Sequence, residues 1–206
     1  MNEEIIYLDH AAATPVDPKV LSVMMPYFSE KFYNPSAPYL QALNVRKDYE
    51  DAKDEIARSF GAKGDEIIIT AGATESINLA FSAATNENNT SEILVAAFEH
   101  HSVLAAAEKF GTRKTVNITK KGVVDLHDLQ SKITENTQIV SVMLANNETG
   151  IIQPISKIAT IIKAERQNRL ENDNQTPIYL HCDASQGVGQ LDIHISRLGV
   201  DMLTLN

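Results

Sequence analysis

Apolar residues along the chain fall into two rhythms, short continuous runs and longer stripes at helical spacing. The runs at Ile5 to Leu8, Glu66 to Thr70, Ile93 to Ala97, Thr115 to Ile118, Gln138 to Ala145, Ile178 to His181 and Val200 to Leu205 read as strands. Asp17-Pro18 opens a helix, with an acid at the cap and Pro in the first turn, and Val20, Leu21, Met24 and Phe28 recur along it. From about Tyr39 to Phe60 a charged stretch carries Leu43, Tyr49, Ala52, Ile56 and Phe60 as an apolar stripe, and Gly61 supplies the stop. Further helices are expected from near Thr74 through Phe81, from Ser102 to Phe110, from Leu126 to Ile133 and from Pro154 to Arg169. From Glu66 onward strands alternate with helices. That alternation predicts an α/β fold of three layers, α/β/α, around a mostly parallel sheet covered on both faces. Asn34-Pro35-Ser36 marks a loop, and the polar stretch from Glu171 to Thr176 a surface loop.

Composition narrows the function. The 206 residues are 43% hydrophobic and 22% charged, enough for one sizeable core. A net charge of -9 and a pI near 5.1 argue against nucleic acid and against an anionic membrane surface as partners. No run approaches the ~18 apolar residues of a membrane span, and Met1 to Glu4 lacks the basic start of a secretory signal. The single cysteine excludes an internal disulfide and suits a reducing compartment, so a cytoplasmic location is expected.

Four clusters follow strand ends, where an open parallel sheet binds ligands. In Thr70-Ala71-Gly72-Ala73-Thr74-Glu75-Ser76, Gly72 turns the backbone and a helix begins. The free N–H groups of that first turn and the Thr74 hydroxyl suit a phosphate, although Thr74 as a plain cap is the simpler alternative. This is neither a P-loop nor a dinucleotide fingerprint, because the glycine spacing and the lysine those motifs need are absent. In Glu99-His100-His101, an imidazole at a strand end can stack on a flat ring or simply cap a helix, and no third residue at suitable spacing makes a metal site. Ala145-Asn146-Asn147-Glu148-Thr149-Gly150 offers amides or merely a turn. In His181-Cys182-Asp183-Ala184-Ser185-Gln186, an apolar strand delivers Asp183 to its end. A carboxylate there stays ionised only if a cation meets it, and Gln186 follows one turn on. Strand alternation turns Cys182 away from Asp183. Together these are an anion site, a ring stacker, amide donors and a carboxylate awaiting a cation, which a phosphorylated pyridine, pyridoxal phosphate, would satisfy.

The same motifs carry a family resemblance. Tyr7-Leu8-Asp9-His10-Ala11-Ala12-Ala13-Thr14-Pro15, Asn34-Pro35-Ser36, Gly72-Ala73-Thr74-Glu75-Ser76-Ile77-Asn78, Glu99-His100, Asn146-Asn147-Glu148-Thr149-Gly150 and His181-Cys182-Asp183-Ala184-Ser185-Gln186 occur in order. In them the chain resembles, nearly end to end, the cysteine desulfurases of the class V aminotransferase family. These belong to fold type I of the pyridoxal-phosphate enzymes. The resemblance implies that Ala73 and Thr74 bind the phosphate, with Asn206 where the family often has Ser. It implies that His100 stacks on the ring, Asn147 lies near the ring oxygen and substrate, Asp183 pairs with the ring nitrogen and Gln186 donates to the ring hydroxyl. It further implies L-cysteine as substrate, a sulfur acceptor or iron–sulfur scaffold protein as partner, and a homodimer. Residues 1–15 are expected as a segment that packs with the family's small domain, and 16–206 as the large, cofactor-binding domain, incomplete at its C-terminal side. The lysine that holds the cofactor, the nucleophilic cysteine and the substrate-carboxylate arginine are expected beyond Asn206. The 12 lysines present read as solvated charges on helix faces and turns. The selenocysteine lyases, the other class V enzymes and a non-catalytic cofactor-binding subunit are the alternatives.

Overall fold

The computed structural model describes residues 5–85 and 90–206, so the first four residues of the expected 1–15 segment lie outside it. Contacts divide the chain into two compact units, Met1–Ile67 and Ile68–Asn206.

The first unit is helical. Helix α1 (Pro18–Met24) is capped by Asp17, whose carboxylate accepts from the Lys19 N–H at 2.7 Å. The expected helix does not run on smoothly to Phe28, because Pro26 has no N–H to donate; a separate turn, α2 (Pro26–Ser29), starts there. Helix α3 (Leu40–Phe60) ends as its sequence predicts, at Gly61 with φ 71°, whose N–H closes on Ala57 and Arg58 carbonyls. Tyr27 and Lys31 both donate to Asp48 Oδ2, at 2.9 and 2.7 Å, tying the segment after α1 to α3. The Lys31 ammonium, first among the causes, holds the Asp48 carboxyl below its ordinary range. Of the α3 stripe, Leu43, Tyr49 and Ile56 remain exposed. The expected strand at Ile5 to Leu8 does not form. Ile5, Ile6 and Leu8 are exposed, and a strand exists only against a partner ladder, which the described residues do not offer.

The second unit holds a five-stranded sheet, β1 (Glu92–Ala96), β2 (Thr112–Val116), β3 (Thr137–Ser141), β4 (Tyr179–Asp183) and β5 (Met202–Thr204), in the order β2-β1-β3-β4-β5. All four pairings are parallel, as the alternation of elements requires. Helices α4 (Ala73–Ala84), α5 (His101–Phe110), α6 (Leu126–Lys132), α7 (Ile155–Glu171) and α8 (Ile195–Leu198) connect and cover it. Ile93, Val95 and Ile139 point to the face where Ile77 and Phe81 of α4 and Val103, Ala106 and Ala107 of α5 pack. By alternation, the equally buried Leu94, Val140, Leu180 and Cys182 point the other way, toward the side of α6 and α7, whose Leu129, Ile158 and Ile162 are buried. The layers are therefore α/β/α.

Two sequence expectations shift here. Glu66 to Thr70 is not a strand: Glu66 closes a single 3-10 turn, and Ile68 and Ile69 are 70% and 55% exposed, with no neighbouring strand among the described residues. β2 begins at Thr112, because β1 pairs with it residue for residue from Glu92↔Thr112 to Ala96↔Val116. Ile118, read as part of that strand, instead makes an isolated antiparallel bridge to Val124.

Candidate functional site

Chain order reverses between β1 and β3. From β1 the chain crosses through α5 to β2 at one side, then returns through α6 to place β3 on β1's other side. Such a reversal opens a crevice outside the carboxyl ends of the strands. The residues singled out by sequence follow β1, β3, β4 and β5 or head α4, which packs against β4 and β5.

After β1 the backbone turns at once, with Glu99 N–H donating to Ala96 O at 3.2 Å. β3 runs on. Its Val142 and Leu144 N–H groups still donate to β4, at His181 O (3.1 Å) and Asp183 O (2.8 Å). The intervening Met143 N–H faces the side that β1 has left, and Glu99 Oε1 accepts it at 2.5 Å. A side chain thus replaces a missing ladder bond. Glu99 is 6% exposed and its Oε2 is buried with no hydrogen-bond partner among the described residues. Burial, and secondarily the nearby Asp183 charge, raise the Glu99 pKa well above the ordinary value.

His100 caps α5. Its Nδ1 accepts from Ser102 N–H at 3.3 Å and lies 2.7 Å from Ser102 Oγ. That fixes the ring by one edge and leaves its faces and Nε2 free of that duty, so capping and stacking are compatible. The His101 ring sits 4.1 Å away, tilted by 45°.

After β3, Asn146 does the structural work. Its Oδ1 accepts from the N–H groups of Glu148 (3.1 Å) and Thr149 (2.8 Å) and from Thr149 Oγ (2.9 Å), and its Nδ2 donates to Phe98 O at 3.2 Å. This turn displays the neighbouring Asn147 exposed, with no side-chain partner among the described residues. After β4, Asp183 is buried to 6% exposure, and its Oδ1 accepts from Ser185 N–H (3.0 Å) and Ser185 Oγ (2.6 Å). Among the described residues no hydrogen bond reaches Oδ2, which leaves it for a ligand. Gln186 follows, half-buried, in the turn that Gly187 N–H closes on Ala184 O at 2.8 Å.

At the head of α4, Gly72 caps the helix with φ 153° and ψ 177°, a backbone that side chains rarely adopt. Ser76 N–H is the first to close on the helix, at Gly72 O (3.1 Å), so the N–H groups of Ala73, Thr74 and Glu75 have no intrahelical acceptor. Glu75 folds back to accept from Ala71 N–H at 2.6 Å. A Cβ on Gly72 would lie 3.7 Å from Asn206 Oδ1, which places the amide after β5 beside this turn.

Sequence reading missed one feature beneath the rim. Ser141, His181, Thr204 and Ser76 are linked by hydrogen bonds across β3, β4, β5 and α4. The available signal was a polar residue on the same face of three neighbouring strands. Burial lowers the His181 pKa to about 4, so the imidazole is neutral. Cys182 is fully buried on the other face, and burial, then Glu99 and Asp183, push its thiol pKa well up. Among the described residues there is no cluster of His, Cys, Asp and Glu fit for a metal. The donor set fits a flat, cationic heterocycle with an anionic arm: free N–H groups for the anion, an imidazole face for the ring and a half-committed carboxylate for the cation.

The class-V aminotransferase family model matches residues 6–206. Cysteine desulfurase IscS of Dictyoglomus turgidum is 37% identical over 207 residues, covering 98% of this chain and 50% of the relative. The mitosomal cysteine desulfurase of Trachipleistophora hominis is 38% identical over 210 residues, covering 98% of this chain and 45% of the relative. Among solved structures, a NifS-like protein has a TM-score of 0.86 at 32% identity, over 98% of this chain and 54% of that one. SspA, solved in complex with cysteine, has a TM-score of 0.85 at 30% identity, over 97% and 56%. The chain spans about half the length of the curated relatives it matches.

Proposed function

Because this chain belongs to the class-V aminotransferase family, we propose that it builds the cofactor cradle of a pyridoxal-phosphate-dependent cysteine desulfurase. That enzyme takes sulfur from L-cysteine, leaves alanine and passes the sulfur to an acceptor or iron–sulfur scaffold protein. The observation that carries the reading is Asp183, buried at the end of β4 with one carboxylate oxygen tied down and the other uncommitted among the described residues.

Ala73 and Thr74 at the head of α4, with Asn206 beside them, would hold the phosphate. His100 would lie against the ring, braced by Ser102. Asp183 Oδ2 would accept from the ring nitrogen and keep it protonated, since opposite charges in a buried site favour each other's charged form. Gln186 would donate to the ring hydroxyl, and Asn147, displayed by Asn146, would face the substrate side. Bound there, pyridoxal phosphate supplies an electron sink for the charge left when the substrate's α-proton departs. The relative solved with cysteine supports cysteine as the substrate. A thiolate other than Cys182 must accept the sulfur, because burial keeps that thiol protonated and out of reach. The reading carries with it a homodimer and a cytoplasmic location; no described helix is long and apolar enough to cross a membrane.

Asp183→Asn tests it. The substitution keeps the shape and removes the charge, and sulfide release from cysteine by the intact protein should fall at least about hundredfold, the scale of breaking a buried charge pair. The cofactor's visible absorbance should change with it. Wild-type rates in this variant would sink the proposal.

A further inference from the structure

Ser141, His181, Thr204 and Ser76 have no part in the roles above, yet they form one continuous line. Ser141 Oγ lies 2.9 Å from His181 Nδ1, His181 Nε2 lies 3.0 Å from Thr204 Oγ1, and Thr204 Oγ1 lies 3.0 Å from Ser76 Oγ. The first three residues are buried, and Phe81 sets its ring edge-on to His181 at 5.3 Å. Packing alone asks for aliphatic side chains here. Polar groups in such a place are tolerated when every one is satisfied, and a satisfied line specifies one arrangement of the elements it joins. A neutral imidazole has one donor and one acceptor nitrogen, which matches a hydroxyl on each side.

The line ends at the two structures that flank the candidate anion site. Ser76 lies in the first turn of α4, just inside the free N–H groups of Ala73, Thr74 and Glu75, so its bond fixes how that turn is rotated against the sheet. Thr204 stands two residues before Asn206, whose amide lies beside Gly72. Thr204 O also accepts from Ala184 N–H at 2.8 Å, next to Asp183. We propose that Ser76, Thr204, His181 and Ser141 are positioning residues for the phosphate arm. The line locks the first turn of α4 against the exit of β5, so that Ala73, Thr74 and Asn206 converge on one anion while Asp183 stays in register with them. This inference rests on the pyridoxal-phosphate reading.

The test compares the dissociation constants of pyridoxal 5'-phosphate and of pyridoxal, which lacks the phosphate, on the intact protein. A general loss of stability weakens both alike, whereas a misplaced phosphate turn weakens only the first. Thr204→Val should lower the preference for the phosphorylated form by about tenfold or more, the scale of one buried hydrogen bond left unmade. Thr204→Ser, which restores the hydroxyl, should return the preference to within about threefold of wild type. Ser76→Ala, at the half-buried end of the line, should act as Thr204→Val does and serves if that variant does not fold. An unchanged preference in folded Thr204→Val or Ser76→Ala overturns the inference and leaves the cofactor reading standing. A wild-type protein with no preference for the phosphorylated form overturns the cofactor reading, and this inference with it.

Discussion

His181 shows how a single residue couples burial to acidity. Its ordinary pKa of 6.5 falls to about 4 in the fold, chiefly because burial disfavours the cation. The unfolded chain therefore binds the proton first as pH drops. Stability is fully present above 6.5 and is lost as pH falls through the folded value, by up to about 3 kcal/mol once pH is below both. His181→Gln should flatten that limb, read as denaturant midpoints between pH 4 and 7, even if the variant is weaker at neutral pH. An equally steep limb in the variant would assign the acid sensitivity elsewhere. At this scale the sequence was informative where a residue's place follows from its strand. Asp183 ends an apolar run, so its delivery to the rim was legible. The role of Glu99 was not, because it depends on β1 stopping while β3 continues, and strand lengths relative to one another are not written locally.

Elements were legible to the extent that their partners are near in sequence. Helix α3 and its Gly61 stop needed only local signals, and they formed as read. The runs at Ile5 to Leu8 and Glu66 to Thr70 have the composition of strands but find no neighbouring strand among the described residues, and composition cannot supply a ladder. Helix α4 is held by Ile77 and Phe81, both fully buried against β1, β3 and α5. Phe81→Ala should cost about 3–5 kcal/mol in denaturant unfolding, since the cavity lies under the sheet's centre where little can collapse into it. It should also loosen cofactor binding, because Phe81 packs on His181. A loss below about 1 kcal/mol would mean that α4 is held mainly by its polar line.

Across the sheet-bearing unit, one buried arginine ties the end of α7 to the approach to β4 and to the distant segment before β3. Arg169 donates to Glu165 Oε1 (2.7 Å) within α7, to Thr176 O (2.9 Å) before β4 and to Thr134 O (2.7 Å) before β3. Its side chain is 4% exposed. Arg169→Ala leaves those acceptors unpaired and should cost about 3–5 kcal/mol in global unfolding. Arg169→Lys should recover little, since a single ammonium cannot span them. Full recovery by lysine would show that charge matters there rather than the planar fork. None of this was visible in the sequence, where Arg169 is one more polar residue near a helix end.

The carboxyl of Glu99 has a further meaning for the molecule. Between β1 and β3 the sheet carries a notch, and the Met143 N–H at its lip can be claimed either by that side chain or by a lengthened β1. Zipping the two strands together by one more bond would be ordinary sheet growth, and it would close that slot. Slot and seamless sheet are thus rival uses of one amide, and one glutamate decides between them. Change elsewhere on the rim can alter what the slot accepts, but loss of this acceptor puts the slot itself at stake.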